Sequence, residues 1–227
     1  MDYIVFDLEW NQCPGGKQRE VPTLPFEIIE IGAVKLDSER RMTDKFHCLV
    51  RPEVYLKLHH RTREIVKKTE EELRHGMAFP DAVSKFLEWA GPDAFFCTWG
   101  VVDLVELQRN MKYHGILSLL RGPLHYYDVQ KLFAISYEDT KTRRSLEYGI
   151  DFLHLEKKLE FHQALSDAYY TAKIFQTIDW DIVYAYDSID VYQNPKTKRE
   201  EIHAIYNGYS KFISREFATK EAALEDK

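Results

Sequence analysis

Near its start the chain runs through an apolar stretch, Tyr3-Ile4-Val5-Phe6, that ends in two acids one residue apart, Asp7 and Glu9. A short apolar run of this kind reads as a buried β-strand. In an extended segment residues i and i+2 point to one face, so the two carboxylates leave the strand side by side. A core strand that delivers paired acids at its end requires a sheet whose strand ends line a polar site. Two distant segments carry residues that suit such a site: Asp103 in "TWGVVD", and His162 with Asp167 in "HQALSDA". Together they make a set of carboxylates with one histidine beside it. Carboxylate oxygens suit hard divalent cations, Mg2+ or Mn2+, and two such cations can stabilise both the attacking and the leaving oxygen of a phosphodiester. An imidazole can take up a proton at neutral pH.

Each of these residues also has a plainer reading. An acid in the first turn of a helix is favoured there by the helix dipole, which would account for Asp103 by itself. The chain has nine histidines, and only the spacing of His162 to Asp167 singles it out.

The remaining pattern predicts elements in a clear order. Strands are expected at residues 2–8, 26–36 and 43–51, with a Gly/Pro-rich loop from Asn11 to Pro25 between the first two. Thr69 with Glu72 forms a capping-box signature, and Val83, Phe86, Leu87 and Ala90 recur at helical spacing before Gly91. A fourth strand, "AFFCTW", leads through Gly100 into a helix over about 102–113, and a short strand at 125–127 feeds a helix that Asp128 caps. Further helices start near Ser145 and span about 165–177. Antiparallel strands followed by alternating strands and helices give an α/β fold with a mixed sheet.

With 227 residues, 44% of them hydrophobic, the chain can bury the core of one domain with an appendage. We expect a catalytic domain over residues 1–178 and a helical C-terminal extension over 179–227. In that extension Ile202, Ile205, Tyr206, Tyr209, Phe212, Ile213 and Phe217 follow one helical face. That face suits packing on the catalytic domain or, alternatively, a homodimer or protein-partner contact. Cys13, Cys48 and Cys97 form no C-x-x-C pair and point to a reducing compartment. No apolar stretch approaches the ~20 residues of a membrane helix, and no signal peptide is recognisable, so a cytoplasmic location without membrane contact is expected. The net charge of −6 would disfavour nucleic acid if read alone, but bound cations would offset several acids. Basic patches at 57–63, 67–68 and 141–144 suit either phosphate contact or plain solvated surface.

The ordered set "FDLEW", "FEIIEIGAVKLD", "FHCLVRP", "TWGVVD", "YYDVQKLF" and "HQALSDAYYTAKIF" resembles the DEDDh 3′-to-5′ exonucleases over about four-fifths of the chain. It is similar in particular to the branch with the histone-mRNA and siRNA exonucleases and the KapD-type sporulation inhibitors. The resemblance implies a ribonuclease H-like mixed sheet flanked by helices, and hydrolysis of nucleotides from single-stranded RNA or DNA with a free 3′ hydroxyl. It implies two divalent cations, Mg2+ or Mn2+, held by Asp7, Glu9, Asp103 and Asp167, with His162 as the base. Trp10 and Asn11 would contact the terminal nucleotide, although Trp10 could equally be a core residue. Glu30, alternating with Ile29 and Ile31, is a further acid that could stand behind the metal ligands. Two other readings are an oligoribonuclease acting on very short RNAs and a regulatory module that uses the fold to bind a partner.

Overall fold

The computed structural model describes residues 1–120, 124–137 and 142–185. Strand alternation sorts the first strand, β1 (Asp2–Gln12), between two cores. Ile4, Phe6 and Leu8 enter one, and Tyr3 and Val5 the other. Four strands join β1 in a single sheet: β2 (Phe26–Leu36), β3 (Met42–Leu49), β4 (Ala94–Thr98) and β5 (His125–Asp128), in the order β3-β2-β1-β4-β5. The β3-β2-β1 meander is antiparallel, whereas β4 and β5 run parallel to β1. This is the expected mixed sheet. β2 is buried along nearly its whole length, as a central strand covered on both faces must be, while half the residues of β3 at the edge are exposed.

Helices α1 (His60–Ile65), α2 (Glu70–Arg74) and α3 (Phe79–Ala90) lie between β3 and β4, and α4 (Val102–Tyr113) follows β4. After β5 come α5 (Val129–Tyr137), α6 (Leu146–Phe152), α7 (Ala164–Thr177) and α8 (Trp180–Ala185). Val83 and Phe86 from α3 and Leu104, Leu107 and Met111 from α4 cover the Ile4–Phe6–Leu8 face. Phe133 from α5, Ile150 from α6, Ile174 and Phe175 from α7 and Val183 from α8 cover the Tyr3–Val5 face. The local signals hold where they were read. Thr69 and Glu72 make both bonds of a capping box, Ser145 caps α6 through Tyr148 N, and Asp128 Oδ1 accepts from Lys131 N at 3.0 Å.

Several boundaries differ from the sequence reading. β1 continues through Asn11 and Gln12, because a register shift after Glu9 lets these residues pair with Glu27 and Phe26; the connecting loop therefore starts after Gln12. α1 occupies the stretch read only as a basic patch, being too short for apolar periodicity to betray it. α8 packs into the core: Val183 is fully buried, and the Arg40 guanidinium lies 3.8 Å from the Trp180 ring centroid while donating to Phe175 O at 2.7 Å. Among the described residues the packed unit thus includes α8. The amphipathic pattern at 202–217, and with it the partner-contact reading, lies outside the described residues. Cys13, Cys48 and Cys97 are buried free thiols. Among the described residues no helix is long and apolar enough to cross a membrane.

Candidate active site

The site forms where β1 outruns β4. The β1–β4 ladder ends at the Val5–Cys97 pair, and beyond it the chain of β4 turns at Gly100, whose φ of 85° lies in the left-handed region that glycine adopts without strain. Thr98 Oγ1 and Tyr126 Oη both donate to the Gly100 carbonyl and fix that turn. α4 then begins, with Asp103 in its first turn. Asp103 Oδ1 accepts from the backbone N–H of Leu8 at 3.1 Å, taking the place of the missing strand. Leu8 separates Asp7 from Glu9, so this single bond sets the α4 acid between the two acids of β1.

α7 brings the remaining pair. Across the sheet Asp7 lies opposite Gly32 on β2. A side chain built at Gly32 would place its Cβ 2.1 Å from Leu165 N and 2.2 Å from Ala164 C, so the start of α7 rests directly on the glycine backbone. That approach puts Asp167, in the first turn of α7, over the acids of β1. Ligating atoms of Glu9, His162 and Asp167 all lie within 4.8 Å of one another. His162 is exposed, has a left-handed backbone (φ 61°) and donates its N–H to Asp167 Oδ2 at 3.2 Å. A non-glycine residue in that conformation costs on the order of 1–3 kcal/mol, and here it turns the imidazole-bearing loop back onto the acid.

Crowding raises the acids. Burial, then the charges of Asp103, Glu9, Asp167 and Glu30, holds the Asp7 carboxyl well above its usual range. Burial and the charges of Asp167, Glu30 and Asp103 lift Glu9 to about 8, with Lys68 opposing. Asp103 rises to about 7, mainly through burial, against the lowering effect of the Leu8 N–H. Burial raises Asp167 to about 6, and the His162 N–H limits the rise. Asp167 Oδ1 is buried and without a hydrogen-bond partner. An all-oxygen cluster of mutually repelling carboxylates with an orphaned oxygen fits a hard divalent cation, which would neutralise the repulsion and use the orphan. The N-termini of α4 and α7 add positive partial charge around the acids.

The structure therefore gathers Asp7, Glu9, Asp103, His162 and Asp167 at one end of the sheet. It treats the two residues after them differently. Trp10 is half-buried, its ring 5.6 Å from Phe26 and packed against the core. Asn11, expected at the terminal nucleotide, is fully buried. Its Nδ2 donates to Tyr55 O and Lys57 O, both at 2.9 Å, and its Oδ1 accepts from His59 N at 2.9 Å. The side chain clamps the 55–59 loop to β1. Residues passed over in the sequence also matter. Gly32 was detectable, since a glycine inside a strand marks close backbone approach. Lys67, from the basic patches, pairs with Glu160 at 3.0 Å beside the His162 loop, and Lys68 lies 4.0 Å from Glu30.

The chain as a whole is similar to known proteins. The exonuclease family model RNase_T matches residues 4–175. This chain belongs to the RNase_T exonuclease family. It is a DEDDh-type 3′–5′ exonuclease, a phosphodiester hydrolase with a ribonuclease H-like fold. The probable 3′-5′ exonuclease KapD of Bacillus subtilis is 28% identical over 191 residues, covering 80% of this chain and 86% of KapD. The nuclease domain of 3′hExo, a DEDDh family member solved bound to rAMP, superimposes with a TM-score of 0.63 at 21% identity, over 77% of this chain and 90% of that one. Pop2p of S. pombe, solved in a form with Mg2+ and Mn2+ bound, gives 0.57 at 16% identity over 77% of this chain and 81% of its own. At these identities the two structures speak to the fold.

Proposed function

We propose that this exonuclease removes mononucleotides from the 3′ end of single-stranded RNA or DNA with the aid of two divalent cations, Mg2+ or Mn2+. The observation that carries the reading is the meeting of Glu9, His162 and Asp167 within 4.8 Å, across a sequence separation that only folding can close. Asp7, Glu9 and Asp167 would hold the cations from the sheet and α7, with Asp103 completing the set from α4. When bound, the cations supply a more acidic water and offset charge on the phosphoryl oxygens. His162, exposed at the rim with its backbone tied to Asp167, accepts the proton of the attacking water. The acids of β1 and α7 form a wall that rejects additional negative charge at the strand terminus.

End chemistry tests this reading. A strand labelled at its 5′ end should shorten one nucleotide at a time in Mn2+. A copy carrying a 3′ phosphate, with roughly −1.5 to −2 extra charges by analogy with phosphorylated side chains, should persist. Matched RNA and DNA strands digested side by side decide the sugar preference. Rapid release of internal fragments from a circular single strand would overturn the exonucleolytic assignment.

A further inference from the structure

Glu30 lies outside the five-residue set, yet it stands directly opposite Glu9 in the β1–β2 register, on the same face of the sheet. Its side chain is 1% exposed. One oxygen is anchored: Oε1 is 2.7 Å from His47 Nε2 and 4.0 Å from Lys68 Nζ. The other, Oε2, is buried and has no hydrogen-bond partner. A buried carboxylate oxygen left unpaired is costly and persists where something is meant to use it. Glu30 is not among the ligating atoms that meet within 4.8 Å, which include Glu9 beside it. It is close enough for its charge to raise Asp7, Glu9 and Asp167.

We propose that Glu30 is a positioning residue for the divalent-cation site. Oε2 would accept a hydrogen bond from a water held by a cation at Glu9, while His47 and Lys68 hold the carboxylate in that orientation. The inference rests on the cation-dependent reading above. The plainer account is a buried ion pair that only stabilises the sheet, and the two accounts predict opposite results.

Glu30→Gln keeps the shape and removes the charge. Mn2+ affinity measured by calorimetry should weaken about 10–100-fold, the usual effect of losing an outer-shell partner. The melting temperature in EDTA should stay level or rise, because one repelling charge has left the acid cluster. kcat should fall with little change in KM for the oligonucleotide. Wild-type Mn2+ affinity in the folded variant overturns the proposal. Should the metal-free variant melt lower or fail to fold, His47→Gln decides, since His47 is 40% exposed and leaves Glu30 in place. Weakened Mn2+ binding there supports the role, and wild-type binding rejects it. Asp7→Asn separates this outcome from failure of the underlying reading. If wild type and Asp7→Asn bind Mn2+ equally, the cation site itself is misassigned. If only Glu30→Gln behaves as wild type, Glu30 alone is.

Discussion

Gly32 on β2 and Leu165 at the start of α7 are in backbone contact: a Cβ on the glycine would lie 2.1 Å from the leucine nitrogen. Gly32 also pairs with Asp7. The distance between the acids of β1 and Asp167 of α7 is therefore set by the absence of one methyl group.

Gly32→Ala should push the start of α7 off the sheet and carry Asp167 and His162 with it. Displacements near 1 Å at a reacting centre can cost ~10²-fold in rate. We expect at least that loss, with the fold retained by far-UV circular dichroism. Wild-type turnover in this variant would show that α7 does not need its close approach.

His162→Ala should lower turnover by about 10²–10⁴-fold, the range for removal of a general base, while Mn2+ affinity remains near wild type. His162 also offers a ligand atom within 4.8 Å of those of Glu9 and Asp167. A collapse of Mn2+ binding in the variant would make it a ligand instead of the base.

The raised acids give the metal-free protein a distinctive pH response. Burial, with the neighbouring charges, pushes Glu9, Asp103 and Asp167 up to about 8, 7 and 6 in the folded chain. All three lie above their unfolded values. Between the two values the folded state binds more protons, so stability falls as pH rises and is lost progressively through the folded pKa values. Melting temperature in EDTA should therefore fall from about pH 5 to about pH 8.5, and Mn2+ should restore it most at the alkaline end. A flat profile in EDTA would contradict the crowding.

Asn11→Ala should destabilise the fold by about 2–3 kcal/mol, because Tyr55 O, Lys57 O and His59 N lose their buried partners. Mn2+ affinity should be unaffected. Unchanged denaturant midpoint together with weaker oligonucleotide binding would return Asn11 to the substrate.

The sequence by itself determined whatever depends on neighbours a few residues apart. Alternation in β1 placed Asp7 and Glu9 on one face, the Thr69–Glu72 box opened α2, and Ser145 and Asp128 capped the helices that follow them. Motif order added the four acids and the histidine of the site, through the resemblance. Tertiary structure decided the rest. Asp103 and Leu8 are 95 residues apart, and their bond exists only because β4 lies beside β1. Asn11 could not be told from a substrate contact, since its partners come from a loop that begins more than forty residues later. Glu30 acquired its half-used carboxylate from His47 and Lys68, which strand register and loop packing bring to it. Local backbone preferences act over a turn or a few residues of strand, whereas these contacts follow from which surfaces bury each other.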